Sequence, residues 1–210
     1  MKERGIIFNG EMVRATLDGL KTQTRRVVRH QPDEDGLARL SGGPWMDTSE
    51  KVYRCPYGQP GDRLWVREAW GVVSHELDDD GRIQPWAPDR PAKAIHEMPF
   101  GNGHYSGFAI YSADGEFAWG DDDGYEDGRS CWKPSIHMPR AASRILLEIT
   151  DVRVESLHGG YWRHYQPEWT QHQLSAKGSF ATLWKSIYGA ESWNENPWVW
   201  AISFKRIEGA

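Results

Sequence analysis

The stretch that most constrains the fold is Gly19-Leu20-Lys21-Thr22-Gln23-Thr24-Arg25-Arg26, because the side-chain period changes there from helical to extended. Upstream, Met12, Ala15 and Thr16 are spaced to bury one face of a helix over Glu11 to Asp18, with Val13 and Leu17 beside them. Gly19 stops that helix, since glycine accepts the left-handed backbone on which many helices end. Past the stop the period is two. Thr22, Thr24 and Arg26 point one way and Lys21, Gln23 and Arg25 the other, unless the turn redirects Lys21.

Four cations, Lys21, Arg25, Arg26 and Arg29, fall within nine residues. One reading is a solvated edge strand guarded by charge. The other is an anion or nucleic-acid site with Lys21 and Thr24 at its centre. A lysine serves as base to a neighbouring hydroxyl where burial or other cations favour its neutral form, and this cluster offers such cations.

Taken in order, Ile6 to Phe8 reads as a first strand, Asn9-Gly10 as a turn into the helix, and Gln23 to Arg29 as the next strand. Residues 30–61 are rich in Gly, Pro, Asp and Ser, and read as a long loop or insertion. Pro60-Gly61-Asp62 then turns into the clearest strand, in which Leu64, Val66, Glu68 and Trp70 alternate with Trp65, Arg67 and Ala69. On that pattern Glu68 is either a buried carboxylate that needs a cation, with Lys21 or Arg26 as candidates, or a strand end that has reached solvent. Residues 74–105, with four prolines, read as a second insertion, and Gly107 to Tyr111 and Glu116 to Trp119 as a hairpin about Ala113-Asp114-Gly115. Gly120 to Gly128 is an acidic loop. The loop Lys133 to Arg140 either lines a pocket with Lys133, Ser135, His137 and Arg140 or is a structural turn. Ser143 to Val154 is a long strand, Tyr161 to Lys177 has no assignable period, Phe180 to Tyr188 is a helix presenting Leu183, Trp184 and Ile187 and ended by Gly189, and Trp198 to Phe204 is the last strand. About six strands and two helices make an α+β chain with a mixed sheet or small barrel.

Composition excludes several function classes. The 210 residues suit one domain with insertions at 30–61 and 74–105. The net charge of −5 does not mark a nucleic-acid binder, but the acidic residues gather at Glu76 to Asp80 and Asp121 to Asp127, away from the basic run. Cys55 and Cys131 lack metal-ligand spacing, the histidines are scattered, and no phosphate-binding Gly-x-x-x-x-Gly-Lys occurs, so no metal or other cofactor is expected. With no signal peptide or long apolar span, the reading is a reduced, cytoplasmic chain without a membrane partner.

The run Gly-x-Lys-Thr-x-Thr-Arg-Arg after a short helix, Pro60-Gly61-Asp62-Arg63-Leu64-Trp65-Val66-Arg67-Glu68, Lys133-Pro134-Ser135-Ile136-His137-Met138-Pro139-Arg140, and the stretches Ile145 to Val154 and Leu183 to Phe204 together resemble the ASCH-domain family, in particular its phage and prophage-type members. The resemblance spans both ends of the chain and is weak in the middle. It implies a PUA-like fold, a mostly β barrel flanked by two or more helices with a cleft beside the first helix. Some bacterial ASCH proteins deacetylate 4-acetylcytidine with a threonine, a lysine and a glutamate, and the first two map onto Thr24 and Lys21. The lysine would take the threonine proton, and the hydroxyl would attack the amide carbonyl.

The glutamate of that family lies in an acidic helical stretch after the long strand, where this chain has Glu155-Ser156-Leu157-His158-Gly159-Gly160. Glu155 and Glu168 are the nearest carboxylates, and Glu68 is the substitute favoured by strand alternation. A second class of function is an RNA- or nucleobase-binding module. There Lys21, Arg25, Arg26 and Arg140, joined by Arg67, Lys133, Ser135 and His137, would meet the ligand while Trp65 or Trp70 stacks a base. A ribonuclease is a third class, and a phage-derived interaction protein a fourth.

Overall fold

The computed structural model describes residues 1–32, 37–41, 44–78, 80–119, 131–158 and 171–208, with only the backbone of 171–179. In chain order the elements are β1 (Glu3–Ile7), α1 (Gly10–Leu17), β2 (Gln23–Val27), β3 (Ala38–Arg39), β4 (Trp45–Met46), β5 (Val52–Tyr53), β6 (Arg63–Arg67) and β7 (Trp70–Val73). They continue with β8 (His75–Leu77), β9 (Ile83–Pro85), β10 (Lys93–Phe100), β11 (Gly103–Tyr111), β12 (Leu146–Ser156), α2 (Gln171–Asn194) and β13 (Trp198–Ile207). The chain is α+β and rich in strands. Among the described residues no sheet closes on itself, so the expected closed barrel is not formed. No described helix is long and apolar enough to cross a membrane.

Two compact units result. The first holds residues 1–22, 61–149 and 204–210. In it β1 runs parallel to β6, and β6 pairs antiparallel with the start of β12. A second sheet has the order β10-β11-β7. Its core packs Trp70, Ile95, Met98, Tyr111 and Met138 together. An adjoining cluster sets Val73, Trp86 and Ile110 against Phe108, Phe117, Trp119 and Trp132.

Helix α1 forms where the spacing places it. The Asn9 side chain accepts the Met12 N–H at 2.9 Å as N-cap, the buried Thr16 hydroxyl donates to the Met12 carbonyl at 2.7 Å, and Gly19 has φ +73°.

The second unit holds residues 23–60 and 150–203. β2 pairs antiparallel with β13, Thr24 opposite Ile202 and Arg26 opposite Trp200. Helix α2 supplies Trp184 to a core shared with Leu157 and Val199 and flanked by Phe180, Tyr188 and Trp193.

Several expectations are corrected. Residues 30–61 are not wholly irregular, because β3, β4 and β5 form a small antiparallel sheet. Its turn is held by the buried Asp47 carboxylate, which accepts the Ser49 and Lys51 N–H groups and the Ser49 and Tyr53 hydroxyls. The second insertion holds the β8–β9 hairpin and all of β10. Pro99 and a register shift between Ile95 and Met98, with Glu97 at φ 46°, break the alternation that would have revealed β10. β11 pairs with β10 and β7 rather than with residues 116–119, and Ser112 to Asp114 is a 3-10 turn. Helix α2 starts before Phe180 and resumes after a break at Gly189, φ +86°. Of its expected face only Trp184 is buried, and Ile187 is 43 % exposed. The acidic loop 120–128 and Glu168 lie outside the described residues.

Candidate functional site

Lys21 closes α1. The N–H groups of Leu20 and Lys21 both donate to the Ala15 carbonyl at 2.8 Å, a turn that Gly19 makes possible. The Lys21 ammonium lies 5.5 Å from the centre of the Phe8 ring, itself fully buried. Lys21 belongs to the first unit and Thr24, Arg25 and Arg26 to the second, since the boundary passes between Thr22 and Gln23.

In the second unit Thr24 is buried, 4 % exposed, on the inward face of β2. Arg25 is engaged by Glu155: Nε donates to Oε1 at 3.0 Å and Nη2 approaches it to 2.8 Å. The guanidinium stacks 5.3 Å from the Phe180 ring centre. With both partners about nine-tenths buried, this pair holds β2 to β12 within the unit. Arg26 carries its charge near Tyr57, whose hydroxyl is pushed up by burial against the opposing pull of that guanidinium.

Glu68 is buried, as alternation with Leu64 and Val66 requires, and is 1 % exposed. The cation expected from Lys21 or Arg26 is supplied by Arg144. Arg144 Nε donates to Glu68 Oε1 at 3.0 Å and Nη2 to Oε2 at 2.9 Å. The other edge of the same guanidinium takes both oxygens of Asp114, at 2.7 and 2.9 Å. Its plane lies 3.9 Å from the centre of the Tyr111 ring, and the Tyr111 hydroxyl donates to the Ala142 carbonyl at 2.9 Å. Sequence reasoning missed Arg144, Asp114 and Tyr111. Arg144 falls at the start of the expected strand Ser143 to Val154, two residues before β12 begins, and Asp114 stands where a turn residue is ordinary.

Burial raises the Glu68 carboxyl from its ordinary value, against the hydrogen bonds and charge of Arg144, with Asp114 pushing the same way as burial. A raised acid binds its proton more tightly folded than unfolded. Its contribution is complete below the ordinary glutamate pKa and is lost as pH rises through the folded value. Glu68→Gln is therefore expected to flatten the fall in melting temperature on going upward from about pH 4.5, read by circular dichroism across a pH series. An unchanged slope would remove Glu68 as its source.

The remaining predicted residues divide into two groups. Lys133 exchanges backbone hydrogen bonds with Trp70, at 2.7 and 3.1 Å, and its ammonium lies over Phe100 and Tyr105, 5.9 and 5.4 Å from their centres. Trp70 is fully buried and has no surface on which to stack a base. Trp65, Arg67 and Arg140, by contrast, converge on the outer face of the β1–β6 pair. Arg67 stacks on Trp65 at 5.3 Å and donates to the Ile136 carbonyl, between Ser135 and His137. Arg140 Nε donates to Glu3 at 3.0 Å. Cys55 and Cys131 form no disulfide, and no group of three or more metal-ligating side chains is brought together among the described residues.

No family model, no curated protein and no solved structure matches this chain.

Proposed function

We propose that the chain is a PUA-like protein of the ASCH type that hydrolyses the acyl amide of an acylated cytidine-type nucleoside, with Lys21 as base and Thr24 as nucleophile. The observation that carries this reading is the fixed placement of Lys21. The backbone hydrogen bonds of Leu20 and Lys21 to the Ala15 carbonyl hold it at the end of α1, with its Nζ 5.5 Å from the centre of the Phe8 ring. Thr24, three residues on, is sheltered on β2, where bulk water does not compete for its hydroxyl.

In this mechanism Lys21 enters as the neutral amine and takes the Thr24 hydroxyl proton, becoming the ammonium, as Oγ attacks the acyl carbonyl. The tetrahedral intermediate collapses by breaking the bond to the cytosine amine, which receives that proton from the lysine. Water then cleaves the threonine ester and releases the carboxylic acid. Glu68 enters as the anchor of Arg144, because both of its oxygens are already engaged there.

The test is chromatographic. The parent incubated with 4-acetylcytidine is expected to release cytidine, and Lys21→Ala and Thr24→Ala each to lose at least about 100-fold in rate, the usual worth of a general base. No cytidine from folded parent protein would overturn hydrolysis and leave a nucleobase-binding module as the reading.

A further inference from the structure

We infer that Lys93 is a nucleophilic lysine that forms an imine with a small phosphate-bearing aldehyde, with Arg140 receiving the phosphate. The first ground is where the strand puts it. Lys93 pairs with Ala109 across β10 and β11 and alternates with Ile95, and residues related in these ways share a face of the sheet. Ala109 and Ile95 are both buried, in the core around Trp70 and Tyr111. Lys93 therefore stands on the core-facing side of β10, at its first position, and is only partly exposed.

The second ground is what surrounds its amine. Nζ donates to the Ser143 carbonyl at 2.6 Å, and among the described residues no carboxylate pairs with it. The 3-10 turn Arg140–Ala142 packs against β10 and brings a second cation instead. Burial, and after it the Arg140 charge, hold the Lys93 ammonium below its ordinary value. A lysine shielded by apolar side chains and set beside another cation favours the free amine, the form that attacks a carbonyl carbon.

In the reaction the Lys93 lone pair adds to the aldehyde carbon, the C–N bond forms, and a proton passes from nitrogen to oxygen to give the carbinolamine. Loss of that oxygen as water leaves the imine, so one water is released and no oxidant or reductant is consumed. Once protonated, the imine keeps one N–H, which the Ser143 carbonyl is placed to accept. Arg140 selects the tail of the aldehyde. Its Nε donates to Glu3 at 3.0 Å, neither Nη group has a partner among the described residues, and the side chain is 40 % exposed. A guanidinium fork left open in this way suits phosphate oxygens. Lys93, Arg140 and Ser143 all belong to the first unit. The site does not depend on the hydrolytic reading, whose base is Lys21.

The experiment incubates the full chain with glycolaldehyde phosphate or with glycolaldehyde, traps imines with cyanoborohydride, and maps the modified lysines over time by mass spectrometry. Lys93 is expected to be the first lysine labelled. The phosphate-bearing reagent should label it roughly 10- to 100-fold faster than glycolaldehyde, the usual worth of a hydrogen bond to a charged group, and Arg140→Gln should erase that preference. Lys93→Arg, which keeps the charge, should remove the leading adduct and leave labelling of the other lysines unchanged. Label spread evenly over the lysines would overturn Lys93 as the nucleophile. Label falling first on Lys21 would overturn it too, while supporting the hydrolytic base. Equal rates for the two reagents at Lys93, or a preference that survives in Arg140→Gln, would overturn the phosphate assignment. The lysine map and the comparison of reagents use the parent alone, so both hold even where a variant fails to fold.

Discussion

Arg144→Ala is expected to destabilise the first unit by roughly 3–5 kcal/mol, the usual cost of stripping one partner from a buried ion pair. Four charge-assisted hydrogen bonds, to Glu68 and to Asp114, disappear at once. Two carboxylates whose side chains are only 2 % and 12 % exposed are then left facing each other without a cation. The Tyr111 ring also loses the guanidinium stacked on it. Protonation relieves part of the damage, so the deficit should be smaller at acid pH than at pH 8, and urea unfolding at both would show it. Arg144→Lys restores the charge but not the planar fork, and should recover only a fraction. A midpoint for Arg144→Ala equal to that of the parent at pH 8 would show that the cluster contributes nothing to stability.

Gly107→Ala is expected to cost about 3 kcal/mol, the upper end of ordinary point substitutions. Its φ of +125° is a conformation L side chains rarely adopt, and an added Cβ would lie 2.4 Å from the Val73 carbonyl oxygen and 2.8 Å from the Ser74 Cα. Both atoms are backbone, directly beside the β7–β11 ladder, so no flexible side chain can yield. Gly101→Ala is the control. That glycine also has positive φ, +59°, but nothing lies within 4 Å of the added carbon. Its loss should be limited to about 1–2 kcal/mol of backbone preference. Equal thermal shifts for the two variants would show that the close approach at Gly107 has no weight of its own.

What could be read from the sequence was whatever depends on near neighbours along the chain. The period change at Gly19 and the alternation of Leu64, Val66 and Glu68 follow from local geometry and hold in the structure, whereas Gly189, expected to end its helix, breaks it and the helix resumes beyond. Strand β10 escaped because its bulge shifts the side chains out of phase where alternation would have been counted. Phe117 and Trp119 looked like strand residues because aromatics favour strands, yet they pack into the cluster around Trp86. At the candidate site the sequence announced the charges but not their partners. Arg25 reads as a free cation until Glu155, distant in sequence, is seen beside it, and the need of Glu68 for a cation was legible while the identity of that cation was not. Partnership across a hundred residues leaves no trace in spacing. Trp65 and Arg67 were legible as separate candidate contacts but not as a stacked pair, because the empty place at Gly5 against which both side chains lie belongs to another strand.

The chain passes between the two units four times, at 22/23, 60/61, 149/150 and 203/204. Neither unit is therefore a continuous length of polypeptide. During synthesis the first waits for Phe204 and the residues after it, while the second waits for β13 to reach β2 across an interval that contains nearly the whole chain. Neither can mature on the ribosome ahead of the other, and closure comes late, through contacts of very high sequence separation. Partial chains leaving the ribosome would carry unpaired strand edges, and proteolytic nicking at a single boundary could not release either unit intact. Circular permutants that open the chain within the β8–β9 turn would place β13 close in sequence to β1 and β2, and so turn the latest contact of synthesis into an early one.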